Sequence, residues 1–131
     1  MIVLDTHALV WWVNDPRQLS EPARRTIETA QQEHAVYVSC ISSWEIALLA
    51  QRGRLQLAFD VRDWLARCEA LPFVTFLPVT TAIAVESTRL PGFPHADPAD
   101  RIIVATALSL GAPLATKDEK IHGFKAVKSI W

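Results

Sequence analysis

The sequence predicts an α/β fold: a central parallel sheet of about five strands flanked by helices, in a single domain spanning residues 1–131. Three observations point there. Short apolar, β-branched runs alternate with longer segments whose apolar residues recur at helical spacing. The alternation repeats along the chain, as βαβ units require. Finally, 131 residues with 50% apolar and 21% charged side chains fit one globular domain rather than a disordered chain.

Taken in order, Ile2-Val3-Leu4 reads as a short buried strand that ends at Asp5. Thr6 to Val13 reads as a short helix, and Asn14-Asp15-Pro16 as a turn. Ser20-Glu21-Pro22 starts a second helix, with Ser20 as N-cap and Pro22 in the first turn. It runs to about Gln32 and turns Ala23, Ile27 and Ala30 inward. Val36-Tyr37-Val38 is the second strand, and a third helix opens at Ser42-Ser43-Trp44-Glu45 and ends near Gly53. Val61, Trp64, Leu65 and Cys68 fall at i, i+3, i+4 and i+7, which makes Asp60 to Leu71 a fourth helix. Val74 to Val79 is a strand, Thr80 to Leu90 a helix, and Pro91 to Ala96 a loop punctuated by Pro91, Gly92 and Pro94. Asp97-Pro98 opens the most apolar helix, through Leu110, with Gly111 as its C-terminal cap. Pro113 to Thr116 is the fourth strand and Ala126 to Ile130 a fifth.

Composition excludes several classes. The uncharged stretch from Ile102 to Thr116 is shorter than the roughly 18 residues of a membrane span and is broken by Gly111 and Pro113. Met1 to Asp5 lacks the basic start of a signal peptide. Cys40 and Cys68 sit in segments that read as buried, without metal-ligand spacing, so free thiols in a reducing cytoplasm are expected. His7, His34, His95 and His122 contain no i, i+3 or i+4 pair, which argues against zinc. The net charge of −1 argues against a protein that merely grips a polyanion. The balance is uneven, however: residues 1–100 carry eight basic and twelve acidic side chains, residues 101–131 five and two.

The acids gather at one place in this topology. In a parallel α/β sheet, strand C-termini and the N-termini of the following helices share an edge, and ligands bind there. Asp5 ends the first strand, Glu45 lies early in the helix after the second, Asp97 and Asp100 open the long apolar helix, and Asp118 follows the fourth strand by two residues. Each has a local explanation. Asp5, Asp97 and Asp118 suit N-caps, and Ser42-x-x-Glu45 matches a capping box. Jointly they need more, because two unit charges about 5 Å apart repel by roughly 3 kcal/mol at an effective dielectric near 20. An all-oxygen set with open positions suits Mg²⁺ or Mn²⁺.

The residues around these acids also carry a resemblance. Leu4-Asp5-Thr6-His7, Ser43-Trp44-Glu45-Ile46, His95-Ala96-Asp97-Pro98-Ala99-Asp100-Arg101 leading into Ile103-Val104-Ala105-Thr106-Ala107, and Ala115-Thr116-Lys117-Asp118 resemble a PIN domain. Within that family the likeness is to the VapC-type toxins of bacterial toxin–antitoxin pairs, in order and spacing over essentially the whole chain. The resemblance implies a Rossmann-like fold and a Mg²⁺- or Mn²⁺-dependent ribonuclease using one or two ions. It further implies a homodimer, silenced by a small VapB-type antitoxin. Asp5, Glu45, Asp100 and Asp118 become its acidic quartet, with Thr6 and Thr116 as supporting hydroxyls. Asp97 becomes an outer contact or a helix cap. The implied reaction is hydrolysis of an RNA phosphodiester by water, with no side-chain nucleophile, leaving a 5′-phosphate and a 3′-hydroxyl.

Arg101 and Lys117 adjoin the expected ligands and are the candidates for RNA phosphate contacts, ahead of Arg52, Arg54 and Lys120. His95 is divided between a substrate contact and a loop-stabilising role. Trp44 and Trp64 read as core, while Trp11 and Trp12, adjacent on a helix, cannot face the same core. Trp131 is expected over the sheet edge. Two other classes compete: a catalytically silent PIN scaffold, and a receiver-like signalling module that works by binding a partner. The second expects an acid ending the third strand, where this chain has Phe76-Leu77-Pro78-Val79-Thr80. A haloacid-dehalogenase-like phosphatase would need Asp-x-Asp, where the chain reads Asp5-Thr6-His7.

Overall fold

A computed structural model describes residues 1–131. Five parallel strands form one sheet in the order β3-β2-β1-β4-β5, from Ile2–Leu4 (β1), Val36–Ser39 (β2), Val74–Leu77 (β3), Leu114–Ala115 (β4) and Ser129–Ile130 (β5). The helices are Thr6–Asn14 (α1), Glu21–Gln32 (α2), Cys40–Gln51 (α3), Val61–Glu69 (α4), Thr81–Ser87 (α5), Pro98–Leu110 (α6) and Glu119–His122 (α7). This is the parallel α/β sheet that the strand–helix alternation predicts, in the Rossmann-like form that the resemblance implies.

The two-residue period of β1 shows how the layers form. Ile2 and Leu4 point into one core, with Leu9 of α1, Ile27 of α2, Ile46 of α3 and Trp64 of α4. Val3 points to the other face, against Ile103, Val104 and Ala107 of α6 and Ile121 of α7. All three strand residues are fully buried, as a central parallel strand covered on both faces requires. Amphipathicity places α2 as expected, with Ala23, Ile27 and Ala30 buried and the Ser20 hydroxyl accepting from the Ala23 amide at 3.2 Å. Gly111 ends α6 with φ 62°, a left-handed conformation that glycine adopts without strain.

Four expectations are corrected. First, α3 begins at Cys40 with Ser39 as its N-cap, two residues before the expected start. Strand β2 runs into it without a loop, so Ser42 and Glu45 form no capping box; Ser42 is instead buried and accepts a hydrogen bond from the Thr6 hydroxyl at 3.0 Å. Second, Cys40 is exposed at that helix start, whereas Cys68 is buried; both thiols are free. Third, Trp44 is 56% exposed. The buried residues of α3 are Ser42 and Ile46, four apart on one face, and a residue midway between them must project away. Fourth, α5 stops at Ser87 rather than Leu90. The Ser87 and Thr88 hydroxyls donate to the carbonyls of Ala84 (2.6 Å) and Val85 (2.7 Å), local bonds that compete with helix propagation.

The other tryptophans sort as follows. Trp64 is core, and its indole donates to Asn14 Oδ1 at 3.0 Å. Trp11 and Trp12 are each half-buried on different aromatic neighbours: Trp11 on His7 and Trp131, Trp12 edge-on to Phe73.

Candidate metal centre

The strand order places the chemistry. From β1 the chain steps outward to β2 and β3, then crosses to β4 and β5 on the other side. The crevice beyond the C-terminal ends of β1 and β4 is therefore the switch point where such sheets bind ligands. Asp5 leaves β1, and Thr116 and Asp118 follow β4. The helix α3 brings Glu45, and the N-terminus of α6 brings Asp100. A cleft of about 210 Å³ is lined by Asp5, Glu45, Asp100 and Asp118, together with Thr6, His7, Trp11 and Lys117. The structure thus brings together all four acids expected from the sequence.

Local folding aims each of them. Asp5 caps α1, its Oδ1 accepting from the Ala8 amide at 2.8 Å. Asp118 caps α7 in the same way, through the Lys120 amide at 2.9 Å, and its other oxygen, Oδ2, lies 2.7 Å from His95 Nε2. Buried Thr116 accepts from the Asp118 amide at 3.1 Å and so sets the turn after β4. Thr6 is buried and spends its hydroxyl on Ser42, tying α1 to α3. Asp97 is the N-cap of α6, accepting from the Ala99 amide at 2.8 Å; its charge lies next to Asp100 but is exposed.

The electrostatics are those of a cation site. Burial raises the Asp5 carboxyl above its ordinary pKa, more than hydrogen bonds from the Thr116 side chain and the Ala8 amide lower it. Burial also pushes Asp100 up to about 6, with the neighbouring Asp97 charge adding to the effect and Glu45 and Asp118 contributing less. Asp118 behaves oppositely. Burial pushes it up, but the His95 hydrogen bond and the backbone amides of Lys120 and Ile121 outweigh that and hold it below the usual range. Neither Asp5, Glu45 nor Asp100 has an ion-pair partner; among the four acids only Asp118 has one, in His95. Four carboxylates gathered in one cleft, three of them without an ion-pair partner, fit a hard divalent ion.

Two residues differ from their expected parts. His95, Asp100 and Asp118 present ligand atoms within 4.8 Å of one another, so the tightest donor group includes a histidine. The one sequence signal for it is its position in the Pro/Gly-rich loop that delivers α6 to this edge. Arg101, expected on RNA phosphate, turns inward. Its Nε donates to the His95 carbonyl at 2.7 Å and its Nη1 to the Ser87 carbonyl at 3.2 Å, with the guanidinium 5.6 Å from the Phe93 ring centroid. Carbonyls of an irregular loop need donors, and Arg101 supplies them. Lys117, in contrast, is exposed at the cleft mouth, its Nζ 5.7 Å from the Trp11 ring centroid.

A parallel 3-2-1-4-5 sheet with an acid-lined switch point defines a Rossmann-like domain with its candidate site at the strand ends, and the chain belongs to the PIN domain family, whose model matches residues 2–128. It is 36% identical over 124 residues to Ribonuclease VapC22 of Mycobacterium tuberculosis, covering 95% of this chain and 92% of that protein. Its fold matches that of VapBC2 from Rickettsia felis bound to a DNA fragment from their promoter, with TM-score 0.71 at 14% identity over 98% of this chain and 97% of that one. FitAcB from Neisseria gonorrhoeae superposes with TM-score 0.68 at 23% identity, over 98% and 96% of the two chains.

Proposed function

We propose that this chain, a single PIN domain over residues 1–131, is a divalent-metal-dependent endoribonuclease and the toxin of a toxin–antitoxin pair. The observation that carries the reading is the cleft where Asp5, Glu45, Asp100 and Asp118 converge, with an ion-pair partner for Asp118 alone. Ribonuclease VapC22, 36% identical to this chain, is a ribonuclease by name, and the fold is shared with proteins of VapBC and FitAB structures. A small VapB-type antitoxin, a homodimeric state and a cytoplasmic location belong to the same reading. No helix is long and apolar enough to cross a membrane.

Asp5, Asp100 and Asp118, with Glu45, would hold one or two Mg²⁺ or Mn²⁺ ions. Such an ion supplies water activation and neutralises charge on the phosphate. The chain's own residues do the rest. The Ala8 amide keeps the Asp5 carboxylate fixed at the end of β1, and the Thr116 hydroxyl sets the turn that presents Asp118. Lys117 at the rim offers a charge to the RNA backbone, and Trp11 beneath it a flat apolar wall. Water is the nucleophile, and the cleft contains no cysteine or serine to take that part.

Chelation tests the reading. RNA cleavage by the purified chain should fall at least about a hundredfold in excess EDTA and return with Mg²⁺ or Mn²⁺; cleavage that persists in EDTA would refute it. A silent scaffold would show no cleavage with any ion. The inward Arg101 and the outward Lys117 give a second expectation. The slope of log binding constant against log salt should flatten by about 1 on Lys117→Ala and stay unchanged on Arg101→Ala. Filter binding over a salt series reads both.

A further inference from the structure

The three donors standing closest together in the cleft are not all oxygens. His95 Nε2 lies 2.7 Å from Asp118 Oδ2, and with Asp100 the three groups bring their ligand atoms within 4.8 Å of one another. The imidazole is fixed there. Its side chain is 17% exposed, its ring stands edge-on to Phe93 at 5.7 Å, and its backbone carbonyl is gripped by Arg101. Phe93 is itself buried against Phe124. A loop that only needed pinning has that already in the Arg101 clamp, which reaches both the His95 and Ser87 carbonyls. The ring is therefore not needed to hold the loop, and its Nε2 meets Asp118 inside the cleft. A nitrogen and an oxygen this close match the roughly 3 Å edge between neighbouring ligands on an octahedral ion with bonds of about 2.1 Å.

We propose that His95 is a ligand of the divalent ion and that its imidazole makes this site favour Mn²⁺ over Mg²⁺. The proposal rests on the reading of the cleft as a metal centre. Mg²⁺ is hard, holds its waters and takes oxygen ligands, whereas imidazole suits the first-row transition ions. Three or four carboxylates with one imidazole form a mixed set, and Mn²⁺ is the ion of that row that also accepts a mainly oxygen environment. An all-acid cleft would carry no such bias. Arg101 then acts at a distance as a positioning residue, because it holds the backbone from which the ligand projects.

The experiment is metal binding by the full chain, followed through the electron paramagnetic resonance of free Mn²⁺ with Mg²⁺ as competitor. In His95→Gln and His95→Ala the Mn²⁺ to Mg²⁺ affinity ratio should fall by about tenfold or more, with Mg²⁺ affinity little changed. A second measurement does not depend on the variants folding well. Mn²⁺ bound to wild-type chain carrying ¹⁵N-histidine should show coupling to a histidine nitrogen in pulsed spectra. Loss of that coupling in the His95 variants separates His95 from His7, which also lines the cleft. An unchanged affinity ratio, or bound Mn²⁺ without nitrogen coupling, overturns the proposal and leaves His95 as a hydrogen-bond partner of Asp118. Failure of the wild-type chain to bind either ion would instead overturn the metal centre itself.

Discussion

Asp100→Asn should abolish metal-dependent RNA cleavage, by at least about a hundredfold, while making the ion-free protein more stable than wild type. The loss follows from position: Asp100 is one of the three donors that crowd together at the N-terminus of α6, and changes even to groups behind metal ligands cost about 10–100-fold. The gain follows from charge. In the folded chain burial and the Asp97 charge push the Asp100 carboxyl up to about 6, against an ordinary value near 3.9 in the unfolded chain. Between these values the folded state holds more protons than the unfolded one, so stability falls as pH rises, and above 6 the loss is complete. Solvent screening of this partly exposed carboxyl leaves a size of about 1 kcal/mol. Asn cannot ionise and escapes it. Thermal melts in EDTA should therefore show the variant's advantage growing from pH 4 to pH 7 by several degrees. Asp118 does not blur this comparison: its lowered pKa contributes stability that is lost only as pH falls below the ordinary carboxylate range. Saturating Mg²⁺ should reverse the order, since wild type gains about 2.7 kcal/mol at a hundred times its dissociation constant and the variant little. Equal melting temperatures in EDTA at pH 7, or equal cleavage rates, would contradict the assignment.

The burial and like charge that disfavour ionised Asp5 and Asp100 also bear on why the candidate site was legible in the sequence. Four acids converging on one edge of a parallel sheet conflict with packing unless a cation intervenes, and such conflicts mark function. The fold was legible for a related reason. Ile2-Val3-Leu4 is too short and too β-branched for a helix, while Ala23, Ile27 and Ala30 recur at a helical interval and are buried as that interval requires. What could not be read were choices between local options of nearly equal energy. Ser39 and Ser42 are both good N-caps, and the continuation of β2 straight into α3 selected Ser39. The same shift decides the part of Glu45, which serves the cleft and not a capping box. Arg101 illustrates a different limit. An arginine next to an expected metal ligand reads as a phosphate contact, and only the tertiary path from the end of α5 through the following loop brings together the Ser87 and His95 carbonyls that draw it inward. His95 is hidden likewise, because its partner Asp118 lies 23 residues away across the sheet edge.

Asp5 separates the structural and chemical parts of one carboxylate. As N-cap of α1 it satisfies the Ala8 amide; as a buried acid it lines the cleft. Asn caps a helix about as well as Asp, whereas Ala forfeits about 0.5–2 kcal/mol. Two variants therefore divide the roles. Asp5→Asn should lose cleavage by at least about a hundredfold and keep or slightly raise the melting temperature in EDTA, since burial disfavours the native charge. Asp5→Ala should lose cleavage to the same extent and also melt several degrees below Asp5→Asn, about 1 kcal/mol being worth a few degrees in a chain of this size. The difference between the two in stability measures the cap, and their shared inactivity measures the site. A cleaving Asp5→Asn protein would show that capping is all Asp5 does, and the acid quartet would then lose the member that ties it to β1. Glu45 and Asp100 would remain on α3 and α6, but the cleft would have no strand-borne ligand at the centre of the sheet, where the 3-2-1-4-5 order puts its switch point.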